Sequence, residues 1–159
     1  MTSYVKELCA HYRRVPTVDR YVGKALTSPG LVAALATEII GESATERFVV
    51  MNLDIKNRLL SFSTVGIGSA SGCPVMISEI FKAALLANAV SIAVAHNHPS
   101  SDVTPSAEDD RITQRIFEAG RLIGIEVIDH VIVGGEGGGH YSYQTSGRLK
   151  SHSEAADTW

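Results

Sequence analysis

Residues Ser91 to Ala95 read Ser-Ile-Ala-Val-Ala and run without a break into His96-Asn97-His98-Pro99. An apolar run this short, with no charge at any position, fits a central strand buried on both faces. The wider apolar stretch from Ala83 to Ala95 is interrupted by Asn88 and Ser91 and falls short of the roughly 20 residues a membrane span needs, so no membrane association is expected. A buried strand requires a core around it. The 159 residues, 45% hydrophobic and 19% charged, are enough for one globular α/β domain.

The strand leads directly to chemistry. Side chains two apart in extended backbone project to the same side, so the imidazoles of His96 and His98 at the strand end can converge on one ion. Downstream, Thr104-Pro105-Ser106-Ala107-Glu108-Asp109 announces a helix, with Thr104 expected as its cap, Pro105 at the first position and acids in the first turn. Asp109 sits in that turn, and Ser106, three residues earlier, shares its face. The intervening loop is long enough to fold the turn back over the strand end. Two histidines and one carboxylate leave a fourth tetrahedral position for water, the pattern of a catalytic rather than a structural zinc site. Iron and manganese suit the same donors. Singly, each residue has an ordinary reading: a hydrogen-bonded strand-end histidine, a helix cap, an acid complementing a helix dipole. The combination, with Pro99 and the Ser-x-x-Asp step, favours the metal.

Elsewhere the pattern predicts a weakly ordered arm over residues 1–28 and a helix from Pro29 to Ile40, stopped by Gly41. Strands are expected over 47–53 and 59–67, joined by a polar turn at 54–58. A loop over 68–74 precedes a helix over 78–88 with Ser78 as its cap. The helix carrying Asp109 should run to Gly120 or Leu122. A strong strand over 126–133, a glycine-rich turn over 134–139, a short strand over 140–143 and a polar tail from Ser146 complete the chain.

The order Glu46, then His96-x-His98-Pro99, then Ser106-x-x-Asp109 resembles the JAMM motif of JAB/MPN+ metalloproteases. The wording around it resembles the RadC branch of that superfamily: Glu46 to Val50, Ile77 to Leu85, Ala95 to Pro105, Ala119 to Ile125 and Asp129 to Gly134 all match in order, over about residues 30–145. The segment ahead of these blocks is too short for the helix-hairpin-helix region that RadC proteins usually carry. The resemblance implies a mixed β-sheet flanked by helices, the JAB/MPN (cytidine deaminase-like) architecture, over 29–145, between an arm (1–28) and a tail (146–159). It implies one Zn2+ per chain held by His96, His98 and Asp109. Glu46 is then the base that bonds the attacking water and shuttles its proton, and Ser106 donates a hydrogen bond to the oxyanion. The implied reaction is hydrolysis of an amide bond in a peptide or protein by a peptidase or isopeptidase.

Competing readings are specific. Glu79 also precedes the histidine pair and begins a helix, making it the rival base, whereas Glu42 lies in a linker off the strand. His130 belongs to a matching block and could approach the site, although a satisfied core pair with Asp129 is the commoner outcome. His11, His140 and His152 read as structural or solvent-facing. The 134–139 glycines lack the strand-to-helix context and the lysine of a phosphate loop and read as a flexible hairpin. Cys9 and Cys73 form no CxxC pair and, without a signal-like leader, read as reduced thiols in a cytoplasmic protein. A net charge of −3 does not support binding to DNA, and Arg13, Arg14 and Arg20 read as a solvated cluster. A zinc nucleobase deaminase would need His-x-Glu and Pro-Cys-x-x-Cys, and neither occurs, nor does His-Glu-x-x-His. A metal-dependent nuclease and a noncatalytic binding module are the remaining alternatives.

Overall fold

The computed structural model describes residues 11–68, 75–135 and 137–148. Its elements in chain order are α1 (Pro29–Ala36), β1 (Arg47–Leu53), β2 (Leu59–Ile67), α2 (Ile77–Leu86), β3 (Ser91–Asn97), α3 (Ala107–Ile123), β4 (Glu126–Val133), β5 (His140–Ser142) and α4 (Tyr143–Ser146). The strands form one mixed sheet in the order β2-β1-β3-β4-β5. Only the β3–β4 pair is parallel, joined by the crossover helix α3, while β1 runs antiparallel to both β2 and β3.

Every residue of β3 is buried, as its uncharged sequence requires. Alternation divides its side chains between two cores. Ala93 and Ala95 join Val49, Met51 and Leu53 of β1 against Val32, Leu35 and Ala36 of α1. Ile92 and Val94 join Phe48 and Val50 against Ile80, Phe81 and Ala84 of α2 and Ile116 of α3. The small residues of β3 allow α1 to approach closely. Gly120 does the same for α3: a Cβ there would lie 2.7 Å from the Ile125 carbonyl oxygen and 2.8 Å from Val127 Cγ2.

The expectation of a weakly ordered arm is corrected over its second half. Pro16–Tyr21 forms a 3-10 turn. Val18, Tyr21 and Leu26 are buried in the α1-side core, the Tyr21 hydroxyl donates to Glu38 at 2.6 Å, and Ala25 bridges Arg58 beside the β1–β2 turn. Burial of three large side chains on the sheet outweighs the weak local propensity of this segment.

Three boundaries move for equally physical reasons. The cap of α3 is Ser106, not Thr104, because Ser106 and Asp109 close a reciprocal capping box, while the Thr104 N–H turns to Asp102 Oδ1 at 3.0 Å. Ser78 lies inside α2, whose N-terminal boundary residue is Met76, without a side-chain cap. Tyr143 opens α4, where the Ser142 hydroxyl accepts from Thr145 N–H at 3.1 Å, instead of extending β5. The α1 helix passes at Thr37–Gly41 into a wider π turn before stopping. Cys9, Cys73, His152, the 69–74 part of the expected loop and the 149–159 part of the expected tail lie outside the described residues. Among the described residues no helix is long and apolar enough to cross a membrane.

Candidate metal centre

β3 delivers His96 onto the α2/α3 face of the sheet, 4% exposed, with its ring stacked at 7° on Phe48, its partner across the β1–β3 ladder. His98 is the first residue beyond the strand. Its N–H still bonds the Val133 carbonyl at 2.9 Å, and its own carbonyl accepts from Ser101 N–H at 2.9 Å. The chain reverses there, with Ser101 left-handed at φ 65°. The turn packs against Gly134, where a Cβ would come within 2.8 Å of both the Ser101 and the Gly138 carbonyl oxygens. Only glycine permits that approach. Gly134 is therefore a close-packed support for the histidine turn, whereas a Cβ at Gly137 or Gly139 would meet open space.

The reversal brings the first turn of α3 over the strand end. His96 Nε2 lies 3.1 Å from His98 Nε2 and 3.0 Å from Asp109 Oδ1, and His98 Nε2 lies 3.6 Å from Asp109 Oδ2. These three residues could hold a metal ion, and they form the one such group found among the described residues. The spacing fits: bonds of about 2.0–2.1 Å in a tetrahedron set neighbouring ligand atoms ~3.3 Å apart. The chemistry of His98 fits as well. Its Nδ1 is 2.6 Å from the Asp102 carbonyl oxygen, which can only accept, so Nδ1 carries the ring proton and Nε2 turns its lone pair to the group.

Asp109 is held on its far side. Its Oδ2 accepts from the Ser106 hydroxyl at 2.6 Å and from Ser106 N–H at 2.7 Å. Burial alone would raise the Asp109 carboxyl, but the neighbouring imidazoles of His96 and His98 and the Ser106 hydroxyl hold it well below the usual carboxylate range. The Asp109 carboxylate in turn raises the proton affinity of His98 against the opposing effect of burial, with further help from the Asp102 carbonyl and the Glu46 charge.

Glu46 is half-buried immediately before β1. The β1–β3 register pairs Phe48 with His96, and continuing it two residues sets Glu46 opposite His98. The segment carrying it is braced by Asn97, whose side chain alternation sends to the α1 side. Asn97 Oδ1 accepts from Arg47 N–H at 2.7 Å, and its Nδ2 donates to the Ser43 and Thr45 carbonyls at 3.1 and 3.2 Å. Sequence reasoning assigned Asn97 no role, although its place between two same-side histidines was the available signal.

The other candidates fall elsewhere. Glu79 pairs with Lys82 along α2, and Glu42 is exposed at the end of the π turn. His11 and His140 are exposed, as are Arg13 and Arg14, while Arg20 pairs with Glu38. His130 departs from its expected pairing with Asp129. Asp129 faces the other way, accepting from the Ser142 hydroxyl at 2.7 Å and from Gln144 N–H at 3.0 Å. His130 is fully buried, with Nε2 2.8 Å from His96 Nδ1 and Nδ1 2.6 Å from Thr113 Oγ1. Burial pushes its pKa well down.

A family model described as RadC-like JAB domain matches residues 26–148 of the chain. Among relatives, the chain is 44% identical over 134 residues to a UPF0758 protein of Rubrobacter xylanophilus, covering 84% of this chain and 58% of that protein. It is 44% identical over 110 residues to one of Caldanaerobacter subterraneus subsp. tengcongensis, covering 69% of this chain and 47% of that one. A UPF0758 protein of Methanosarcina acetivorans is 39% identical over 122 residues, 77% of this chain and 53% of that protein. The chain thus spans about half the length of the curated relatives it matches.

Proposed function

The chain belongs to the RadC-like JAB domain family, and from that premise we propose that it is a zinc-dependent hydrolase that cleaves an amide bond in a peptide or protein in the cytoplasm. The observation that carries the reading is the convergence of His96 Nε2, His98 Nε2 and an Asp109 oxygen at distances suited to one ion, with the Glu46 charge beside them.

A bound divalent ion supplies Lewis-acid activation of water and of a carbonyl group. His96, His98 and Asp109 hold it, and Ser106 holds Asp109. Glu46 takes the proton of the attacking water and delivers it to the leaving nitrogen as the C–N bond breaks. Ser106 donates to the oxyanion of the tetrahedral intermediate, for which its hydroxyl must rotate away from Asp109 Oδ2, where it now donates. The protein matrix around His96 excludes water from one side of the site, and the half-buried His98 and Glu46 form its open side.

The test is metal analysis of purified wild type beside Glu46→Gln and Glu79→Gln, scored with turnover on a mixed peptide library and on single- and double-stranded DNA. Glu46→Gln is expected to abolish peptide turnover while keeping the metal. Full activity in Glu46→Gln with loss in Glu79→Gln would reassign the base, and cleavage of DNA alone would make the protein a nuclease.

A further inference from the structure

We propose that His130, set by Thr113, is a positioning residue that holds His96 in the Nδ1–H tautomer and so aims the His96 Nε2 lone pair at the metal. The proposal rests on the metal reading given above. The direction of each bond follows from the one at the end of the chain. Thr113 Oγ1 lies 2.5 Å from the Asp109 carbonyl oxygen, and a carbonyl has no proton to give, so the hydroxyl donates there. With its single proton committed, Oγ1 can only accept from His130 Nδ1 at 2.6 Å. His130 is therefore protonated at Nδ1 and bare at Nε2. Across the 2.8 Å contact, His96 Nδ1 must be the donor, and its Nε2 is left bare, facing His98 Nε2 and Asp109.

The rest of the site bears this out in form. His98 reaches the same tautomer through the Asp102 carbonyl, so both ligand imidazoles are oriented from behind, one by a backbone carbonyl and one by a buried histidine. His130 cannot turn easily: its ring stacks at 11° on Tyr143 and tilts against Phe48. It also links two ligands held by different elements, since Thr113 bonds the carbonyl of Asp109 itself. One interior side chain on β4 thereby registers the β3 ligand against the α3 ligand. An imidazole whose ring protons sit on the wrong nitrogen would present N–H to the ion and could not bind it.

The experiment uses the full chain stripped of metal, with histidine tautomers read from long-range 1H–15N NMR correlations, followed by calorimetric titration with Zn2+. The main variant is Thr113→Val, which removes the acceptor and keeps the shape. In wild type, His96 and His130 should both be Nδ1–H. In Thr113→Val, His130 loses its reason to keep the Nδ1 proton, the Nε2–H form of both rings should appear, and Zn2+ affinity should fall about 10–100-fold. His130→Phe should lose affinity to a similar degree. His130→Gln, whose amide oxygen can still accept from His96 Nδ1, should recover part of it even where its melting temperature is no higher than that of His130→Phe. A wild type that binds Zn2+ but shows His96 as Nε2–H when stripped would overturn this proposal alone, as would unchanged tautomers and affinity in Thr113→Val. A wild type with the stated tautomers that takes up no Zn2+ would overturn the metal reading, and with it the purpose assigned to His130.

Discussion

Asn97 offers a way to separate the base from the metal. It is 1% exposed, turns its side chain to the α1 side of the sheet, the face opposite His96, and spends one acceptor and two donor positions on Arg47 N–H and the Ser43 and Thr45 carbonyls. Asn97→Ala removes all three bonds. At about 0.5–1.5 kcal/mol net each, the loss of stability should be ~2–4 kcal/mol, read as a lower urea midpoint at unchanged slope. The same bonds tie down the segment that carries Glu46, whereas the ring nitrogens of His98 and His96 are held by Asp102 and His130. Turnover should therefore fall at least tenfold, about 1.4 kcal/mol of barrier, measured well below the unfolding transition. Zn2+ affinity should stay within about threefold, far less than the loss expected when a group that orients a ligand is removed. Unchanged stability, or a metal affinity that falls in step with turnover, would refute this role for Asn97.

Other outcomes are as definite. Ser106→Ala should cost about 1 kcal/mol as a lost helix cap and weaken Zn2+ binding about tenfold by removing the hydroxyl bond to Asp109 Oδ2 and leaving only the backbone N–H to hold it, as read by urea denaturation and calorimetry. In the β1–β2 turn, bonds from the Arg58 side chain and backbone, joined by the Lys56 N–H, pull the Asp54 carboxyl down to about 2 from 3.8. Because the folded value is lowered, that contribution is complete above the ordinary carboxyl range and lost as pH falls through the folded value. An NMR titration should find the Asp54 midpoint near the low value in wild type and well above it in Arg58→Ala.

Much of this architecture was legible because burial and periodicity agreed. The uncharged Ser91–Ala95 run is central in the sheet, and the 47–53, 59–67 and 126–133 strands fall where their β-formers do. The convergence of His96, His98 and Asp109, a group that could hold a metal ion, was readable from two simple geometries, the two-residue repeat of a strand and the first turn of a helix. His130 was harder for a definite reason. β4 carries one extra residue at Ile128, so that Ile92 pairs with Val127 but Ala93 with Asp129. Simple alternation from Val127 would aim Asp129, not His130, at the α3 face. The bulge reverses that choice and puts His130 beside His96. The burial of Val18, Tyr21 and Leu26 was hidden in a different way, since their spacing has no single period and their partners, among them Leu35 and Met51, are remote in sequence.

The most direct test is anomalous diffraction at the zinc edge from crystals grown with one equivalent of Zn2+ per chain. A single peak is expected about 2.0–2.2 Å from His96 Nε2, His98 Nε2 and an Asp109 oxygen, absent from His98→Ala crystals. A peak at other residues, no peak in the wild type, or a peak that persists undiminished in His98→Ala would contradict this ligand set.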